Sequence, residues 1–184
     1  MRLGLVRQGE YPEQIRSELQ QMVAAITTSY GREHDADGRQ RRVQGRWVVG
    51  ATQTVGTGAA IAVGPYRAAA ENEGDVLLDN TALTVRVTTA GVYAVTASAR
   101  WSANATGVRA LILVKNSARL AHAQVSAVPG GAIDTHLTVS DPGVPCAAGT
   151  LFRVDSYQNS GGVLTLVPMA EGCDQTWLRI VRVS

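Results

Sequence analysis

The feature that most constrains this chain is a run of short apolar strands separated by turn residues, recurring about every ten residues from Trp47 onward. Strands are predicted at 46–50, 59–63, 76–78, 82–88, 91–100, 108–115, 119–125, 132–140, 150–158, 162–167 and 176–183, with Gly, Pro, Asn and Asp between them. In 91–100, Val92, Ala94, Thr96 and Ser98 share one face and Tyr93, Val95, Ala97 and Ala99 the other. In 108–114, Val108, Ala110, Ile112 and Val114 alternate with Arg109, Leu111 and Leu113. Apolar residues on both faces mean that one face packs in a sandwich and the other meets a neighbour. About ten strands without a helix make a double-sheet jelly roll the expected solution.

Composition narrows the function class. Only 17% of the 184 residues are charged and 19 are glycine, which suits small, turn-rich strands. A net charge of +2 supplies no concentrated basic face, so neither nucleic acid nor an anionic membrane is an expected partner. Arg39, Arg41, Arg42 and Arg46 cluster, and read as a solvated or subunit-facing loop. No apolar run approaches the ~18 residues of a membrane span, and residues 1–10 lack the apolar core of a signal peptide. The expectation is synthesis in the cytoplasm and exit, if any, by lysis or on a particle.

Catalytic, cofactor and metal signatures are not found. There is no Gly-x-Ser-x-Gly and no His-Glu-x-x-His, and Gly56-Thr57-Gly58 lacks the continuation of a dinucleotide loop. His122 and His136 fall in predicted strands. Asp134, Asp141, Asp155 and Glu171 cannot be paired from sequence, which leaves a glycosidase as the one enzymatic alternative. Asp35-Ala36-Asp37-Gly38 has the start of a calcium loop but neither the third oxygen ligand nor the distal Glu in register, and is read as a polar turn. Cys146 and Cys173, beside Gly or Pro in predicted loops, are either two unpaired thiols or a bridge between loops.

Residues 11–30 are of another kind. Tyr11 to Tyr30 reads as a helix, with Pro12 at its first position, Glu13 in its first turn and Gly31 as its stop. Ile15, Leu19, Met22 and Ile26 step by 4, 3 and 4, the spacing of a seven-residue repeat. A lone helix of this length is marginal in water. Its stripe therefore forms either a short coiled coil with copies of itself or a contact with the β domain. The chain is thus divided into an arm (1–10), a coiled-coil helix (11–30), a charged hinge (31–46) and a β domain (47–184).

The residues also carry a resemblance. Leu83-Thr84-Val85 through Gly91-Val92-Tyr93, then Trp101, Asn104 and Gly107-Val108-Arg109, Lys115-Asn116 at a hairpin, Ala148-Gly149, Gln158-Asn159-Ser160-Gly161 and the last strand Trp177-Leu178-Arg179-Ile180 resemble the C1q/TNF-like jelly roll of bacteriophage and bacterial fibre proteins. In this pattern Gly91 and Gly107 are expected to serve tight turns. Where such domains have Leu-x-Ala-Gly-Asp, this chain has Pro145-Cys146-Ala147-Ala148-Gly149-Thr150, so contacts of that acid do not carry over.

The resemblance implies a homotrimer. It points to a virion structural protein: a short fibre or spike on capsid or tail, docked through its N-terminal arm to other virion proteins, with a β knob facing a host cell-surface glycan. Ile15, Leu19, Met22 and Ile26 are then the helical seam. Tyr93, Trp101 and Tyr157 are the candidates for knob interface or ligand contact, and Tyr66 a candidate exposed ring. A particle-stabilising decoration protein and a free lectin-like bacterial module are the alternatives.

Overall fold

A computed structural model describes residues 19–23, 44–68, 76–127, 133–168 and 176–183. Contacts divide the chain into two units, Met1–Arg41 and Arg42–Ser184. In the first unit, residues 19–23 are helical (α1), with Leu19, Met22 and Val23 exposed. Ile15 and Ile26 of the predicted stripe, residues 1–10, the Asp35–Gly38 turn and most of the hinge lie outside the described residues.

The second unit is an antiparallel sandwich of thirteen strands among the described residues: β1 (Gln44–Val49), β2 (Gln53–Val55), β3 (Ile61–Ala62), β4 (Tyr66–Ala68), β5 (Val76–Asp79), β6 (Thr84–Val87), β7 (Gly91–Trp101), β8 (Val108–Lys115), β9 (Ala118–Ser126), β10 (Thr135–Cys146), β11 (Leu151–Gln158), β12 (Leu164–Leu166) and β13 (Trp177–Arg182). One sheet runs β2-β12-β7-β13-β1-β4, with β10 also paired to β7; the other runs β5-β6-β11-β8-β9, with β3 paired to β11. The expected mainly β, two-sheet architecture is what forms.

Strand alternation decides the core. Tyr93, Val95, Ala97, Ala99 and Trp101 of β7 face inward, opposite Leu111 and Leu113 of β8 and Phe152 and Val154 of β11. Burying such side chains contributes about 1.5–3 kcal/mol each for the larger ones. Polar groups at the core are tied across it. The Trp101 indole Nε1–H donates to Ser156 Oγ at 3.0 Å, and Gln158 Nε2 donates to the Val55 carbonyl at 2.9 Å.

Three local expectations are corrected. Asp141-Pro142-Gly143 does not end a strand: β10 continues to Cys146 through an irregularity between Asp141 and Val144, where the Gly143 N–H bonds Asp141 Oδ1 at 3.1 Å. Proline is tolerated there because β10 is an edge strand and the register shift removes the need for its missing N–H. The short strands β2 and β4 carry too few residues for a period to register. Gly91 is not a left-handed turn residue; it opens β7 opposite Cys146, whereas Gly107 does adopt φ +76°, with any Cβ there lying 2.6 Å from the Asn159 carbonyl oxygen.

Tyr66 sits in the core with a hydroxyl that has no hydrogen-bond partner. Burial, and then the charge of Asp155, push its ionisation far above the ordinary tyrosine value. The folded state therefore keeps a proton that the unfolded chain releases near pH 10, so stability falls as pH rises through that range. Tyr66→Phe is expected to leave stability at pH 7 unchanged or to raise it by about 1–2 kcal/mol, since it deletes a buried unpaired hydroxyl. It should also flatten the loss above pH 10. Urea unfolding midpoints of both proteins at pH 7 and pH 10.5 check this, and an equal alkaline loss in the two would contradict it.

Candidate assembly and ligand surfaces

Residues directly opposite in an antiparallel ladder share a face, so the registers assign each sheet's outward side chains. On the seven-stranded sheet, Ala94, Thr96 and Ser98 of β7 stand between Thr138 and Ser140 of β10 and Trp177, Arg179 and Val181 of β13. The β7 row of this face is small and uncharged, with Arg179 beside it on β13. Ser98 Oγ lies 2.6 Å from His136 Nε2 and donates to the Leu137 carbonyl at 3.3 Å. Farther out, the Arg46 guanidinium lies 5.3 Å from the Trp177 ring centroid, a cation–π contact. Arg100 and Asp134 form an ion pair at 2.6 Å.

The side of the sandwich formed by β9 and β10 is different. Among the described residues each is an edge strand, β9 pairing with β8 and β10 with β7. Val125 is 37% and Ile133 69% exposed, while Leu120, Ala121, Ala123 and Leu137 pack against the core only in part. Exposed edge strands are normally guarded by charge or Pro, yet β9 carries only Arg119 and His122. An incompletely covered apolar edge is a candidate contact surface.

The third surface is the outward face of the six-stranded sheet. Here Tyr157, Asp155 and Arg153 of β11 flank Ala110, Ile112 and Val114 of β8, and Gln124 and His122 of β9 lie on the far side. Arg153 grips Asp155 through two bonds, Nε to Oδ1 at 2.7 Å and Nη2 to Oδ2 at 2.9 Å. That bond holds the Arg153 guanidinium above its ordinary ionisation range. Among the described residues, no group of three or more His, Cys, Asp or Glu is placed to hold a metal.

These assignments sort the aromatic candidates. Tyr93 and Trp101 are 0% exposed and Tyr66 nearly so, which puts all three inside the sandwich and away from any interface or ligand. Tyr93 donates its hydroxyl to the Thr89 carbonyl at 2.7 Å. Tyr157 alone of the named rings faces outward, half-buried. Trp177, not singled out from sequence, is the other outward ring; its alternation with the buried Leu178 and Ile180 was the signal.

Sequence comparison is silent: no protein-family model and no curated protein matches this chain. Solved structures do match. An Eiger TNF from S. frugiperda is similar at a TM-score of 0.60, with 15% identity, over 79% of this chain and 94% of that one. Murine APRIL is similar at a TM-score of 0.59 in structures at pH 8.0 and pH 5.0, with 13% and 14% identity, over 78% of this chain and all of the other. The fold is a TNF-like jelly roll.

Two further residues of the jelly roll escaped the sequence. Arg109 faces inward and is fully buried, its Nη1 donating to the Thr106 carbonyl and its Nη2 to that of Asn104 at 3.0 Å, while Nε has no partner. It pins the 104–106 loop, and burial lowers its pKa. Thr150, standing where the resembling domains have Asp, is buried and donates to the Ala147 carbonyl at 2.8 Å, closing the turn without an acid.

Cys146 is not a loop thiol. It ends β10, buried opposite Gly91, whereas Cys173 lies outside the described residues. Burial pushes the Cys146 thiol up, with Lys115 and a bond to Thr150 opposing it. Iodoacetamide at pH 8 is expected to leave Cys146 unmodified in the native protein and to label it in denaturant, read by peptide mass spectrometry. Native labelling at the denatured rate would contradict the burial.

Proposed function

We propose that the chain is a virion structural protein of a bacteriophage: a homotrimeric short fibre or spike on capsid or tail, anchored by its N-terminus and exposing the jelly roll as a knob for attachment to the host surface. The observation that carries this reading is the pair of unlike surfaces on one domain, the apolar β9/β10 edge and the small-residue face of the seven-stranded sheet. An edge of one copy laid on the face of the next is a heterologous contact, and such contacts close into a ring when the rotation allows. Leu19 and Met22 of the seven-residue stripe, exposed on α1, supply a second seam for the same copies. The helix then serves as stalk, and the first ten residues as an arm that adds to a partner's sheet edge. Attachment would gain avidity from three knobs on one mount.

Light-scattering mass of the full chain and of a version beginning at Gln44 tests the assembly. Trimers in both are expected, and a monomeric full chain overturns the reading. Val125→Asp, at a partly exposed edge position, is expected to give monomers that still unfold cooperatively in urea. Detection of the chain in purified particles tests the virion assignment. Intact adsorption with loss of particle stability on deletion would identify a decoration protein, and absence from every particle a free binding module.

A further inference from the structure

We infer that the loop end of the sandwich over Arg109 is a binding site for an oxyanion, the phosphate, sulfate or carboxylate group of a ligand. The inference goes beyond the assembly reading and does not depend on it, because every group involved belongs to one domain.

Three loops meet at this end, 56–60, 102–107 and 159–163. The Thr106 hydroxyl donates to the Ser160 carbonyl at 2.9 Å, the Gly161 N–H to Thr57 Oγ1 at 3.2 Å, and the Gly58 N–H to the Gln158 carbonyl at 2.7 Å. None of the three loops carries a charged residue. Beneath them Arg109 and Gln158 stand opposite each other in the ladder, both fully buried. Each holds two carbonyls: Arg109 those of Asn104 and Thr106, Gln158 those of Val55 and Gly162. A neutral amide therefore suffices to tie down two carbonyls here. Arg109 adds a full positive charge, and among the described residues no carboxylate pairs with it. Its Nε–H is also without a partner. A buried charge left unpaired is costly, and an arriving anion offsets that cost.

Peptide geometry shows where the anion sits. In a planar trans peptide the C=O and the following N–H point in opposite directions. Because the Asn104 and Thr106 carbonyls turn in to the guanidinium, the N–H groups of Ala105 and Gly107 turn away from it. Neither donates a hydrogen bond, and both residues are part-exposed. Gly107, at φ +76°, supplies the left-handed step of an anion-binding nest of backbone N–H groups. The Asn104 and Asn159 carboxamides add to the donors. Oδ1 of each accepts a backbone N–H, from Thr106 and Val108 respectively, which leaves Nδ2 of each to donate. The guanidinium bound to the far side of the Ala105 and Gly107 peptides strengthens their N–H groups as donors. Donors free of neighbouring acids and backed by one positive charge select an anion over a neutral ligand.

Amide TROSY spectra of the isotope-labelled full chain at low ionic strength test this, with inorganic phosphate, sulfate, glycerol phosphate, glucuronate and glucose as titrants. Saturable shifts of the Ala105 and Gly107 signals are expected with at least one anion and not with glucose. Inorganic phosphate and sulfate, set against glycerol phosphate and glucuronate, distinguish a free anion from one carried on a larger molecule. Arg109→Met is expected to weaken binding about tenfold or more, and Arg109→Lys, which keeps the charge, by no more than about threefold. Arg119→Ala, on the outward face of the six-stranded sheet, is expected to leave it unchanged. Should Arg109→Met not fold, the wild-type spectra and Arg119→Ala decide. No saturable shift at Ala105 and Gly107 overturns the inference, as does a shift centred elsewhere, undiminished affinity in a folded Arg109→Met, or loss of binding in Arg119→Ala.

Discussion

A tryptophan indole buried in an apolar core has to find an acceptor there, because an unpaired N–H in such a place costs roughly 1–3 kcal/mol. Trp101 finds it in Ser156 of the opposite sheet, at 3.0 Å. That bond fixes how β7 of one sheet sits over β11 of the other, and Gln158, two residues on, makes a second link across the same gap to Val55. Once β7 and β11 are aligned, the remaining strands follow as neighbours: β13, β10 and β12 on β7, and β8, β6 and β3 on β11. The outward faces are a consequence of the same alignment, since every residue turned inward for the core commits its neighbours to the surface.

This coupling gives the two sheets unequal exteriors. Behind the buried row of β7 lie Ala94, Thr96 and Ser98, all small, with Ser98 itself covered. Behind Phe152, Val154 and Ser156 of β11 lie Arg153, Asp155 and Tyr157, polar and ring-bearing. Between the sheets, the β9/β10 edge leaves Val125 and Ile133 to solvent, and no further strand among the described residues covers it. A small-residue face, an apolar edge and a polar face thus arise on one small domain from a single choice of inward residues. The TNF-like likeness, at no more than 15% identity in the structures compared, belongs to this backbone arrangement.

Much of that arrangement was legible in the residues. Period-two alternation marked β7 and β8, and Asn116, Gly149 and Gly161 marked turns that take up positive φ. The errors have local causes. Pro142 and Gly143 look like a terminator, but an edge strand with a register shift tolerates both. Arg109 shares its face with Leu111 and Leu113, and the usual preference of arginine for solvent hid the fact that two loop carbonyls await it indoors. Tyr93 and Trp101 were candidates for contact as large rings beside turns, but both are buried, and Thr89 and Ser156 satisfy their polar tips internally.

By itself the sequence determined the all-β class, the approximate strand positions of the domain and the separate character of the heptad-spaced N-terminal segment, because alternation and turn chemistry act between near neighbours in the chain. Which side of each strand faces the core was decided only by the tertiary structure, and with it the exclusion of Tyr93 and Trp101 from the surface, the outward stance of Tyr157 and Trp177, and the burial of the Cys146 thiol. Alternation is symmetric in its two faces. Only the second sheet, packed against one of them, breaks that symmetry.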